Sequence, residues 1–505
     1  MHPNHTNYKV IISMASFTPS SILNSLVLIC VLCSLWSSFA SKGEETGKCD
    51  SSSFLSFKGN EKVTYLSLVH KNAPSSLFFQ GGKGKNRSES DEKREMLIPS
   101  RYKDGTTMDI YDTTGSNYLV KVCLGGQEIK LSVDTGSVLT WTQCNCKDDG
   151  SYCYYQVDES FDSSKNFEPY QCPNECPRGP GVETKSSIEE KCREHLSVEG
   201  LNQQCSQKEE CKYHDQNKIS KEKCLYTNIY ADGSSTSGVL GRATLNLGEF
   251  NDKILFGCGN KNNGRFSHKE DGILGLRYDK TFSIIRQTEG TYHRKFSYCI
   301  PQDNHKHGFL RLGHESNSEQ ANKEAMEVGR DGLYVVKLKG IKIGLDPVHY
   351  ANKFVIVDSG TTFTRLPNKL FTEFKKIYGK AMADTKKGYV KVEDDCLKPD
   401  GLKEFEECYE IKEEPFEAPR ITFLFGSTNV ILPSKGITVQ KDSIACLAFL
   451  ERKEPMETER VIWGSYQQKG IEINFDVGDE KARTIWFNKL DDCKPKILGG
   501  NNVPL

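Results

Sequence analysis

Two short stretches constrain this chain more than anything else in it: Leu131-Ser-Val-Asp134-Thr135-Gly136-Ser137 and Phe354-Val-Ile-Val-Asp358-Ser359-Gly360-Thr361. In each, an aliphatic run reads as a buried strand, and the Asp-Thr/Ser-Gly after it reads as a tight turn. One such turn is weak evidence, because Asp, Ser and Gly are ordinary turn residues. Two copies in the same context, 224 positions apart, point to an internal duplication. Each half also ends on two apolar residues and a glycine, Ile273-Leu-Gly275 and Ile462-Trp-Gly464. Duplicated halves predict two lobes related by a pseudo-twofold axis, with the two aspartates face to face.

The bulk numbers fit that reading. A chain of 505 residues with 36% hydrophobic content can fill two medium cores, and a net charge of −1 argues against nucleic acid as a partner. The apolar run Leu26–Leu35 is too short to span a bilayer and is followed by the small-x-small site Ser38-Phe-Ala40, so residues 1–40 read as a signal peptide. No later segment reads as a membrane anchor. The product is expected outside the cell, in the apoplast, with the vacuole as the other destination. Of 19 cysteines, sixteen lie from Cys123 onward, an even number suited to disulfides in an oxidising compartment. Cys144-Asn-Cys146 and Cys172-x-x-x-Cys176 are read as disulfide cysteines rather than zinc ligands, so no metal and no cofactor is expected.

Residues 41–110 are polar and charged apart from the strand-like Val63–Val69, which suits a propeptide held in the cleft and released by acid. From Tyr111 the chain reads as many short strands punctuated by glycine, a mostly β fold. An N-terminal lobe is expected over 111–330, with a Cys-rich surface insertion at 144–224 whose one helical hint is Ile188, Cys192 and Leu196. A C-terminal lobe is expected over 331–495, then a tail, 496–505. Leu225–Tyr230 and Val239–Leu247 predict a hairpin with Ala231-Asp-Gly-Ser234 at its tip. Leu370, Phe374, Ile377 and Ala381 predict one amphipathic helix from Pro367.

Two carboxylates within hydrogen-bonding reach cannot both ionise cheaply, so such a pair keeps one proton over a wide pH range. One oxygen can then take a proton from water while the protonated partner polarises a carbonyl, which is hydrolysis without a covalent intermediate. The hydroxyls of Thr135 and Ser359 are placed to bond across the interface and fix the two turns. Gly136 and Gly360 admit the close approach of backbone that a shared site needs.

At this point a resemblance is plain. The chain resembles pepsin-like aspartic proteases, specifically the plant secreted group that includes the nepenthesins, from about Tyr111 to Cys493. The motifs that carry it are Val133-Asp-Thr-Gly-Ser-Val-Leu-Thr-Trp-Thr-Gln-Cys144, Tyr230-Ala-Asp-Gly-Ser234, Phe256-Gly-Cys-Gly259, Asp271-Gly-Ile-Leu-Gly-Leu276, Phe296-Ser-Tyr-Cys299 and Ile356-Val-Asp-Ser-Gly-Thr-Thr-Phe363. The resemblance implies a secreted, monomeric aspartic endopeptidase of protein or peptide substrates, with Asp134 and Asp358 as the catalytic pair. It implies Tyr230 as the tyrosine of a flap over the cleft, Trp141 packed near it, and Gly136, Gly360 and Thr361 as substrate contacts beside the pair. It further implies that Cys258 ties to Cys493 and that Cys446 pairs with Cys396 or Cys408. The chain departs from the family at Ala231, where Gly is usual, at Trp463, where a smaller aliphatic is usual, and at Gly125-Gly126-Gln127. Plants also use this fold for non-catalytic binding proteins such as glycosidase inhibitors. The discriminating feature is the aspartate pair, which is complete here on both sides.

Overall fold

The computed structural model describes residues 54–58, 62–70, 118–144, 160–170, 225–264, 266, 270–303, 306–313, 323–329, 331–348, 353–385, 387–411, 416–452 and 459–494. The signal segment, residues 71–117, most of the Cys-rich insertion with its helical hint, and the tail lie outside the described residues.

The duplication is visible strand by strand. The strand Gln127–Asp134 pairs antiparallel with Tyr118–Leu124, and Gly272–Gly275 lies parallel to it with Gly275 opposite Asp134. Trp141–Gln143 pairs antiparallel with Gly272–Ile273 and parallel with Gly257–Gly259. In the second half, Lys353–Val357 pairs antiparallel with Tyr334–Leu338, and Val461–Trp463 lies parallel to it with Trp463 opposite Val357. Thr364–Pro367 meets Ile462 antiparallel and Phe449–Arg452 parallel. The two halves are the same programme. A strand with parallel neighbours is covered on both faces, which is why Phe354-Val-Ile-Val357 reads as a continuous apolar run, whereas Gln127–Asp134 alternates with Ile129, Leu131 and Val133 buried. Val133, Val355 and Val357 are buried accordingly.

One sheet joins the halves. Lys295–Cys299 pairs with Gly308–Leu312 on one side and with Ile471–Asp476 on the other, and Ile471–Asp476 pairs with Thr484–Lys489. The strand Lys62–His70, expected in a propeptide over the cleft, belongs to this sheet. It lies between Phe54–Lys58 and Gly308–Leu312, and its end meets Tyr118 and Leu119. The physical reason is its side chains. Leu66 and Leu68 enter the main core, Tyr65 packs edge-on against Phe309, and Thr64 bonds the hydroxyl of Tyr292 at 2.8 Å. A segment this apolar gains more in a sheet than lying over an open cleft.

The helix Asn368–Asp384 follows the second aspartate lobe strand Thr364–Pro367 as expected, and runs one turn and more beyond Tyr378. Its buried stripe is Leu370, Phe371, Phe374, Tyr378 and Met382, while Ile377 and Ala381 are only partly buried. The aromatic rings turn the face slightly from the one read in the sequence. The described part of the insertion is not all surface: Phe161 is buried edge-on against Phe256 and Phe167, and Glu168–Pro169 pairs with Gly241 and Arg242.

The implied disulfide between Cys258 and Cys493 is not formed. Cys258 bonds Cys144, and Cys493 bonds Cys299, each with Cα atoms 5.3 Å apart. The pairing of Trp141–Gln143 with Gly257–Gly259 brings Cys144 beside Cys258, whereas Cys299 ends a strand of the joining sheet against which the C-terminal residues fold back. Cys446 pairs with Cys408, its direct cross-strand neighbour, and Cys396 is left free and exposed.

The strand Lys62–His70 gives a stability prediction. Leu66 is fully buried, so Leu66→Ala is expected to cost about 3 kcal/mol, read as a shift of the urea midpoint without change of slope. A loss below about 1 kcal/mol would mean that this strand is not part of the core.

Candidate active site

The two aspartate turns are tied to each other by a reciprocal set of hydrogen bonds. The Thr135 backbone N–H donates to Ser359 Oγ at 3.0 Å, and the Ser359 N–H donates to Thr135 Oγ1 at 2.9 Å. Each hydroxyl then donates to a carbonyl of the opposite strand: Thr135 to Val357 O at 3.0 Å, Ser359 to Val133 O at 2.9 Å. Both hydroxyl residues are buried, so every donor and acceptor in this knot is met by another member of it. This is the cross-interface role expected of Thr135 and Ser359.

The knot brings the carboxylates together. A methyl group placed on Gly136 would stand 2.7 Å from Asp358 Oδ1, and one placed on Gly360 would overlap the Asp134 carboxylate. Each glycine thus lies against the aspartate of the other lobe, where no side chain fits. Asp134 accepts from the Gly136 N–H at 2.7 Å and from the Ser137 hydroxyl. Asp358 accepts from the Gly360 N–H at 2.9 Å, the Thr361 N–H at 3.3 Å and the Thr361 hydroxyl at 2.7 Å. Burial first, and the charge of Asp358 second, push the Asp134 carboxyl up to about 7, against the pull of Ser137, Gly136 and Arg277. The pair therefore retains a proton far above the ordinary carboxylate range. Thr361, expected as a substrate contact, directs its hydroxyl to Asp358.

Ser137 is its counterpart in the first lobe and was missed in the sequence reading. The signal was available, since a hydroxyl residue stands three positions after each aspartate. Arg277 was also missed. Its N–H bonds Ser137 O at 3.0 Å and its guanidinium reaches Gly136 O at 3.3 Å, bracing the first turn.

The hairpin Leu225–Ile229 with Ser235–Leu247 carries Tyr230 to the site. The Trp141 indole N–H donates to the Tyr230 hydroxyl at 2.7 Å, and Phe266 packs edge-on against both rings. Removal from water first, then the charge of Asp134, holds the Tyr230 hydroxyl well above the usual phenol range, so it remains a neutral group beside the pair. Trp141 is both core and site: buried, with its one polar atom turned to the hairpin. At the hairpin tip the left-handed position is Gly233 (φ 84°), and Ala231 has no positive φ, so alanine is accommodated there without strain. Trp463 does not reach the site through its side chain, which stacks on Phe425 and packs against Phe423 and Phe487 in the main core. Its carbonyl does, accepting from the Asp358 N–H at 3.1 Å.

Comparison with known proteins bears on the family of the chain. Residues 118–314 match the family model described as xylanase inhibitor N-terminal, and residues 333–489 match the one described as xylanase inhibitor C-terminal. The chain is 30% identical over 409 residues to Aspartyl protease AED1 of Arabidopsis thaliana, covering 77% of this chain and 74% of that one. It is 24% identical over 400 residues to Aspartic proteinase nepenthesin-1 of Nepenthes gracilis, covering 74% and 78%. Its fold is similar to that of crystalline conglutin gamma from lupine seeds, with a TM-score of 0.53 at 15% identity over 75% of this chain and 92% of that one.

The raised carboxyl sets a pH dependence of stability. In the folded chain Asp134 keeps its proton up to about 7, whereas in the unfolded chain it ionises near 3.8. Its contribution is fully present below the lower value and is lost as pH rises through the upper one. Asp134→Asn cannot titrate, so its Tm should gain on the wild type by about 3–6 °C between pH 4 and pH 7.5. Parallel Tm curves for the two proteins would contradict the assignment.

Proposed function

The chain belongs to the pepsin-like aspartic protease family of plants, and from that premise we propose that it is an aspartic endopeptidase with Asp134 and Asp358 as its catalytic pair. The observation that carries the proposal is the knot of Thr135 and Ser359, which holds two carboxylates against each other's glycines with a proton between them. Asp134, pushed up to about 7, keeps the shared proton, and three donors converge on the Asp358 carboxylate. Asp358 accepts a proton from a water held between the carboxyls. Asp134 donates its proton to the peptide carbonyl oxygen as the water oxygen attacks the carbon; the proton on Asp358 then passes to the nitrogen as the C–N bond breaks, and Asp134 regains its proton from the collapsing diol. Ser137 and Thr361 keep each carboxylate's outer oxygen turned away from the water. Tyr230 closes over the bound peptide, with Gly136 and Gly360 lining the floor.

The finer attributes belong to the same reading. The leader at 1–40 exports the chain, disulfides suit the compartment it reaches, and it acts as a monomer on protein or peptide substrates. The segment 41–110 is a propeptide whose strand Lys62–His70 holds it in the joining sheet rather than in the cleft.

A second reading is favoured by one observation, the description of both matched family models as xylanase inhibitor domains. On that reading the chain binds a glycosidase and cleaves nothing. The two differ in a direct assay. The endopeptidase reading predicts cleavage of a denatured protein substrate that falls as pH rises through about 7, where Asp134 loses its proton. Asp134→Asn and Asp358→Asn should each lose about 10²–10⁴-fold in kcat. An activated wild type that leaves the substrate intact from acid to neutral pH, yet inhibits a xylanase, would establish the binding reading instead.

A further inference from the structure

Beneath the two aspartates lies a pair of fully buried polar side chains that the reaction does not touch. Tyr298, in the joining-sheet strand Lys295–Cys299, donates its hydroxyl to Gln468 Oε1 at 2.7 Å. The Gln468 amide donates to two carbonyls, Trp463 O at 2.6 Å and Asp358 O at 3.4 Å. Trp463 O is the same oxygen that accepts the Asp358 N–H. Tyr298 also stands beside Thr135 and in the field of both aspartates.

We propose that Tyr298 and Gln468 are positioning residues for the aspartate pair, fixing the Asp358 turn against the Thr135 turn through the joining sheet. The proposal rests on the catalytic reading of that pair. Core filling does not account for the hydroxyl. The Tyr298 ring already stacks on Phe475 at 5.9 Å, and a phenylalanine would fill that place equally. A buried phenol and a buried amide are costly unless paired. Here they are paired with each other and with the two carbonyls that set the height of Asp358. The two side chains thus connect the joining sheet to the Trp463 and Asp358 carbonyls, with the Tyr298 hydroxyl beside Thr135 of the opposite turn. The pair is neutral, so it fixes geometry without adding a charge to the site. Catalysis by two carboxylates around one water is sensitive to such placement, since an error of about 1 Å can cost about a hundredfold.

The test uses Tyr298→Phe and Gln468→Met, each produced as the whole precursor and activated at acid pH, with folding followed by Tm. Each variant is expected to lose about tenfold in kcat, with KM within about twofold, because the reacting groups are displaced while the peptide-binding surface is kept. A statine-type inhibitor, whose central hydroxyl sits between the carboxyls, should weaken about tenfold, while its analogue lacking that hydroxyl keeps its affinity. The double variant should lose no more than either single one, because both act through one linkage. A variant that folds with unchanged kcat, or that weakens both inhibitors equally, overturns the positioning role. If neither variant folds, the pair is structural and the proposal is wrong. A wild type that cleaves nothing and binds neither inhibitor removes the catalytic reading itself, which is a distinct outcome.

Discussion

The structure depends on four hydrogen bonds between Thr135 and Ser359 and the strands that face them. They are buried, reciprocal and complete, so removing one hydroxyl strands a donor or an acceptor of the other lobe with no water to replace it. Their geometric effect outweighs their energy. Joined, the lobes hold Asp134 and Asp358 so near that Gly136 and Gly360 leave no room for a side chain. The raised Asp134 carboxyl is thus a product of the contact between the two turns.

Everything else positions that interface. The parallel strands Gly272–Gly275 and Val461–Trp463 hold the two aspartate strands from behind. The joining sheet, with Tyr298 and Gln468 above it, fixes the lobes at the base. The hairpin bearing Tyr230 covers the first lobe's side, held by the Trp141 indole and the ring of Phe266. The strand Lys62–His70 belongs to this base too. Whatever processing the amino-terminal segment undergoes, the folded chain has a core contribution from Tyr65, Leu66 and Leu68.

Much of this was legible in the sequence because duplication repeats its signal. Asp134 with Thr135 and Asp358 with Ser359 could be matched across the halves, and the glycine markers Gly275 and Gly464 fixed the lengths of each programme. The long helix and most strands followed from periodicity. What was not legible depended on three-dimensional register. Cys258 could be assigned to Cys144 only once Trp141–Gln143 was seen running alongside Gly257–Gly259. Val63–Val69 reads as an isolated apolar run in a charged segment, and nothing local shows that an open position beside Gly308–Leu312 receives it. Gln468 stands in a polar run, Ser465-Tyr-Gln-Gln-Lys469, whose burial comes wholly from tertiary packing. Trp463 and Ala231, which looked like departures at the site, are absorbed by an aromatic core and by a turn whose strained position is Gly233.

Asp134 and Asp358, held together, share one proton. A potentiometric difference titration of the wild type against Asp134→Asn tests it most directly. The wild type should release, near pH 7, one proton that the variant does not. Release of that proton wholly below pH 5, in the range of an isolated carboxylate, would show two independent aspartates and contradict it.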